Sequence, residues 1–434
     1  MQIPYTKTTL ANGLDVIVHE DRQLPMVAVN LWYHVGSKNE RVGRTGFAHL
    51  FEHLMFEGSA HHDAGYFEPL QHAGALLNGS TNPDRTNYWE VVPTGALELA
   101  LWMESDRMGY LLPALTEAKF SNQRDVVLNE RRQNYENRPY GLAGIALSAA
   151  LFPPDHPYHW MTIGDPDDLR AAHLDDVKAF FEAYYHPANA SLTIAGDVDT
   201  AEALALVERY FGEIPAGPPV ARIHAPAPSM DTQSIVIEDR VELPRLYMAW
   251  HSPAMFAADD AELDLGGDVL GHGKTSRLYQ RLVYERRVAA DVSAFQHSRE
   301  MSGVFQVVAT AAAGVSLSEL APAVDEALDS LANDGLDAAE LERAQAQAES
   351  QFVYRLQSIG GFGGKADQLN AYNIYRRQPG FFDEDLDRYR RATGPAVAAA
   401  VGRHLAGRPR AVLSVVPQGQ RALALADAAE VAVS

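Results

Sequence analysis

Two imidazoles and a carboxylate fall within five consecutive residues of this chain: His49, Glu52 and His53, in the stretch GFAHLFEHLMFEG at 46–58. Neutral imidazole is a ready zinc ligand, and a carboxylate placed beside a metal can take a proton from water. The pattern points to metal-assisted hydrolysis, with His49 and His53 as ligands and Glu52 as general base. Sixteen histidines in 434 residues put the chance expectation for this spacing well below one occurrence.

The element that must carry these groups is a helix. Phe47, Leu50, Phe51, Leu54 and Met55 recur at i, i+3, i+4, i+7 and i+8, so one stripe faces a core. At about 100° per residue, His49 and His53 lie about 40° apart on the opposite face, one turn apart. Glu52 projects in a diverging direction, which suits a base better than a third ligand. The third ligand then comes from elsewhere, and Glu130 is the candidate. It sits in the charged helical stretch 118–137, which can pack beside the first helix.

Residues 14–18 and 26–35 read as strands, and 63–73 as a helix. Residues 76–92 are β-leaning with a turn near Asn82-Pro83, and 96–108, 174–185 and 200–211 are helical. Residues 152–164 form a proline-marked loop. GGFGG at 360–364 reads as a helix break or flexible loop, because no strand-to-helix context supports a nucleotide fingerprint.

The chain has no cysteine, which excludes disulfides and thiolate metal sites. Its net charge of −21 works against nucleic-acid partners, and the lack of a run of about 18 apolar residues works against membrane insertion. Length favours more than one core. The stretch 214–230 is dense in proline and reads as a linker, after which the opening of the chain recurs. IVIEDRVELP at 235–244 echoes VIVHEDRQLP at 16–25, and AVLSVV at 411–416 echoes SLTIAG at 191–196. The expectation is an α+β fold of two homologous halves, 1–213 and 231–434, each an antiparallel-rich sheet with helices on one face. The counterpart of the histidine helix, near 264–271, has no histidine within it, so one metal site per chain is expected.

With these motifs in place, the sequence resembles the pitrilysin/insulinase family of zinc peptidases, and within it the processing-peptidase-like members. His49, Glu52 and His53 match the family's HxxEH helix, and Glu130, 77 positions after His53, matches its third ligand. ALFPPDHPY at 150–158, HPANASLTIAGDV at 186–198 and GKTSRLYQRL at 273–282 extend the likeness over nearly the whole chain. The resemblance implies one Zn2+ per chain, a peptide substrate, hydrolysis inside a clam-shell chamber, and a bacterial periplasmic setting in preference to a cytoplasmic one. It also implies that a strand after Leu76 pairs with the peptide, with Asn78, Gly79 and Ser80 as candidate substrate contacts.

Two features depart from the family. A second glutamate seven residues before the third ligand is replaced by Gln123. An arginine and a tyrosine expected in the second half are replaced by Val283 and Ala290. The resemblance then implies a heterodimer in which a homologous partner, lacking HxxEH, supplies the arginine and tyrosine. The alternatives are a non-catalytic structural core subunit or a zinc-binding subunit that captures peptides for another enzyme.

Overall fold

The structure, a computed structural model, describes residues 2–433. It divides into two compact units. The first comprises the residues up to Asn129, Met161–Ile223 and Gln351–Glu384; the second comprises Glu130–Trp160, His224–Ser350 and the residues from Asp385 onward. Each linear half therefore contributes one segment to the unit built mainly by the other. The proline-dense stretch is without regular structure, and the division between units falls inside it, after Ile223.

The first unit is built on a six-stranded mixed sheet. Its strands are β1 (Thr6–Thr9), β2 (Asp15–Glu20), β3 (Met26–Tyr33), β4 (Leu76–Thr81), β5 (Thr86–Pro93) and β6 (Ala190–Gly196), in the order β1-β2-β6-β3-β5-β4. Only β2 and β6 run parallel. All of β6 and all but the first residue of β3 are buried, which requires cover on both faces. Helix Leu97–Ala114 packs on β3 and β5, and helix Lys365–Arg376 packs on β6 and β3. The expected α+β layering holds, and the cover on the second face is the segment the linear halves did not foresee.

That second cover is polar. Asp367 Oδ1 accepts from Trp32 Nε1 at 2.8 Å and from Asn87 Nδ2 at 3.0 Å. Asn370 Oδ1 accepts from the hydroxyls of Ser191 (2.7 Å) and Thr193 (2.8 Å), and Asn373 Nδ2 donates to Asp15 at 2.9 Å. Residues 367, 370 and 373 share one helix face, so a single helix satisfies the polar groups of four strands. GGFGG is tied to the same network. Gly363 N donates to Asp367 Oδ2 at 2.8 Å, and a Cβ on Gly360 would lie 2.6 Å from side chains of β3 and β5.

The second unit repeats this sheet with β7 (Gln233–Asp239), β8 (Arg245–Ser252), β9 (Ala289–His297), β10 (Gly303–Ala311), β11 (Ala411–Pro417) and β12 (Ala429–Glu430), in the order β12-β7-β11-β8-β10-β9. Helix Ala143–Leu151 covers one face, packing Ala146, Leu147 and Leu151 against Ile235, Tyr247, Leu413 and Val415. Helix Asp260–Gly271, the counterpart of the histidine helix, packs on β9. It carries half-buried Asp264, whose carboxyl is pushed up to about 7, first by desolvation and then by the charge of Asp260. Among the described residues no helix is long and apolar enough to cross a membrane. The helix anticipated over 63–73 is confined to Phe67–His72, because the preceding loop is held by Ser59 and His61 bonding to Asp106.

Two tests follow from this packing. Asp367→Ala leaves buried donors on Trp32 and Asn87 without their acceptor and is expected to cost about 2–4 kcal/mol in urea unfolding. Asp264 has a folded pKa above its unfolded value of about 3.9, so its contribution is present below about pH 4 and is lost as pH rises through about 7. Asp264→Asn is therefore expected to stabilise the protein by about 2–4 kcal/mol at pH 8 and to confer no gain near pH 4, as read by denaturation at the two values.

Candidate metal centre

The histidine helix, Phe47–Leu54, begins at Gly46, whose φ of 87° is in the left-handed region that favours glycine. Its first turn is held by two carboxylates. Glu40, itself buried, accepts from Gly46 N at 2.9 Å and from Ala48 N at 2.8 Å. Asp168 accepts from Thr45 N (3.0 Å) and from the Thr45 hydroxyl (2.7 Å). Negative charge is favourable at this end of a helix, where backbone N–H groups lack partners. A Cβ on Gly164 would lie 2.4 Å from Gly46 Cα, so the two glycines allow the loop to close on the helix start. Phe47, Leu50, Phe51 and Leu54 are buried as the apolar stripe predicts, and Phe51 packs against Phe180, Phe181 and Tyr185.

With that stripe buried, the other face carries His49, Glu52 and His53, each half-buried. The two imidazole rings lie 4.9 Å apart at 86°. Glu130 is in the last turn of helix Glu117–Arg131, whose earlier residues belong to the first unit. The donor atoms of His49, His53 and Glu130 all lie within 4.8 Å of one another, and among the described residues no other histidine or carboxylate group forms such a set. Two nitrogens and one carboxylate oxygen converging from two helices fit a zinc ion with a further position open. Asn134 Nδ2 donates to Glu130 Oε1 at 3.4 Å.

Arg107, on helix Leu97–Ala114, is fully buried, with its guanidinium 5.4 Å from the ring of Phe56 just past the histidine helix. Its Nε bonds Glu104 at 2.9 Å, its guanidinium lies 3.6 Å from Glu90, and it stacks 4.0 Å and 4.1 Å from the rings of Tyr66 and Tyr88. Burial, then the nearby charge of Glu104, pushes the Glu90 carboxyl well above the usual carboxylate range; Tyr66 donates to it at 2.7 Å. Tyr88 lies directly under Gly79 of β4, where a Cβ would come within 3.0 Å of its ring.

Among the described residues β4 pairs with β5 alone, so its other edge is open. The bond from Asn82 N to Arg85 O, 3.0 Å, fixes the phase of the hairpin. Alternation then turns the main-chain groups of Asn78 and Ser80 toward β5 and those of Gly79 and Thr81 toward the open edge. The sequence reading took Asn78, Gly79 and Ser80 as one set, and the pleat divides them. The Gly79 N–H is held at 2.8 Å by the Asn78 side-chain oxygen.

Residues 15–152 match the family described as insulinase (peptidase family M16), and residues 171–348 match the peptidase M16 inactive domain. The zinc protease PqqE of Helicobacter pylori is 30% identical over 388 residues, covering 86% of each chain. The chain belongs to the M16 peptidase family. The zinc protease YmxG of Bacillus subtilis is 23% identical over 351 residues, 81% of this chain and 84% of that one. A protease crystal structure from Helicobacter pylori superposes with a TM-score of 0.87 at 25% identity, covering 95% of this chain and all of that one. The M16 inactive-domain structure from Pseudomonas fluorescens gives 0.85 at 21% identity, covering 96% and 98%.

For this M16 family member the departures also have places. Val283, on the π-helical turn Tyr279–Glu285, is half-buried against the second unit's core, and Ala290 is exposed on β9. Tyr284 is exposed, and Arg286 is engaged with Glu326 at 2.6 Å. Gln123 Nε2 donates to Glu57 Oε1. Sequence reasoning missed Glu40, Asp168 and Glu57. Only Glu40 carried a signal, an acidic residue shortly before a helix that has no Ser, Thr, Asp or Asn at its N-cap. Glu40→Ala is expected to cost about 1–3 kcal/mol, because two buried N–H groups lose their acceptor; chemical denaturation of the metal-free protein measures it.

Proposed function

We propose that this chain is a zinc-dependent endopeptidase of the processing-peptidase-like kind and the metal-bearing subunit of a heterodimer. One observation carries the reading: the donor atoms of His49, His53 and Glu130 lie within 4.8 Å of one another, the two histidines on a helix whose apolar face is committed to packing. These three residues would hold the ion. Bound zinc would supply an acidified water and a polarised scissile carbonyl. Glu52 takes the proton of the attacking water on its carboxylate and returns it to the leaving amine. The peptide lies in extended form along the open edge of β4, where the C=O of Gly79 and the N–H and C=O of Thr81 pair with its main chain. Main-chain pairing favours short or unfolded peptides over folded proteins, and the family resemblance adds enclosure in a clam-shell chamber.

The partner follows from Val283 and Ala290, which offer no hydrogen-bond donor side chain where the resemblance calls for arginine and tyrosine. Loss of oxyanion donors costs about 10²–10³ in rate, so the isolated chain is weak and a homologous subunit restores it. The intact His49, Glu52, His53 and Glu130 set favours this reading over a structural core subunit or a capture subunit.

The test is hydrolysis of an unstructured fluorogenic peptide by the zinc-loaded chain, with and without a co-purified homologue that carries the arginine and tyrosine. The homologue should raise turnover by at least about 10². Glu52→Gln should abolish turnover while metal analysis still finds one zinc per chain. Full activity without any partner would remove the heterodimer, and unchanged turnover in Glu52→Gln would remove the peptidase assignment.

A further inference from the structure

The two ligand-bearing segments are joined by side chains beyond the metal donors themselves. Gln123 Nε2 donates to Glu57 Oε1, and Lys119 pairs with Asp63. Glu57 follows His53 by four positions, in the tight turn that closes the histidine helix, where its N–H bonds Leu54 O at 3.1 Å. Gln123 precedes Glu130 by seven, two turns back on the same helix face. Position numbers rise along one segment as they fall along the other, so His53 with Glu130, Glu57 with Gln123, and Asp63 with Lys119 form successive rungs between antiparallel segments.

This arrangement accounts for the amide at position 123. A glutamate there would set a second carboxylate against Glu57 at hydrogen-bond distance, and like charges so close disfavour each other's ionised form. An amide instead donates a charge-assisted bond to the carboxylate. We infer that Glu57 and Gln123 form a matched brace that sets the spacing of His53 and Glu130, the carboxylate absent from 123 being carried by Glu57. Both are positioning residues. The inference rests on the reading that His49, His53 and Glu130 hold zinc.

The experiment is zinc affinity by competition with a chromophoric chelator, measured on wild type, Gln123→Glu, Glu57→Gln and the double variant, with thermal denaturation of each metal-free protein. Gln123→Glu should weaken zinc about tenfold, the lower end for groups that support metal ligands, with little change in metal-free stability. Glu57→Gln alone should stay close to wild type, since two amides still bond. The double variant, which restores one amide and one carboxylate with their sides exchanged, should recover wild-type affinity. Gln123→Glu binding zinc as tightly as wild type would overturn the brace, as would a double variant no tighter than Gln123→Glu. Wild type that takes up no zinc would remove the ligand assignment itself, a result distinct from either.

Discussion

The feature on which this structure turns is the convergence of three donor groups, two on adjacent turns of one helix and the third 77 positions further on, within 4.8 Å of one another. An imidazole pair alone is only a surface feature. The convergence with Glu130 requires that the histidine helix be fixed in rotation and in height. Its apolar stripe under Phe180, Phe181 and Tyr185 fixes rotation, and the Glu40 and Asp168 carboxylates at its start fix height. Two glycines, Gly46 and Gly164, make the close approach of that loop possible.

Around this centre the fold uses polar burial where an apolar core would be simpler. The face of the first sheet away from the histidine helix is closed by Asp367, Asn370 and Asn373, each satisfied by strand side chains. On helix Leu97–Ala114, Arg107 is held between two carboxylates and two aromatic rings. Such networks contribute less net stability than apolar packing but leave unpaired buried groups if anything shifts, which specifies one arrangement. A metal site needs that specification more than it needs extra stability.

The second unit shows the same architecture without the histidine pair. Its sheet has the same order through β7-β11-β8-β10-β9, and a helix packs on it at the corresponding place. Where the first unit has the two imidazoles, that helix carries Asp264, which accepts from the Tyr389 hydroxyl at 2.6 Å. The two units share the scaffold, while the histidine pair occurs in one of them.

Much of this was legible in the residues alone. The HxxEH spacing, the apolar stripe, the β4–β5 turn at Asn82-Pro83 and the repeat of 16–25 at 235–244 are local patterns, and local patterns follow from helix and strand periodicity. Glu130 was reachable through the family spacing. Other features depended on contacts between residues far apart in sequence: the placement of 143–151 and 365–376 on sheets built mainly by the other half, the carboxylates that cap the histidine helix, the division of Asn78, Gly79 and Ser80 by the pleat, and the Glu57 partner of Gln123. Periodicity says which face of an element is apolar, but not which distant element will cover it, because that choice is made by the whole set of competing faces at once. The sequence by itself determined which ligand-type residues the chain carries and their local spacing; only the tertiary structure decided what holds them in register.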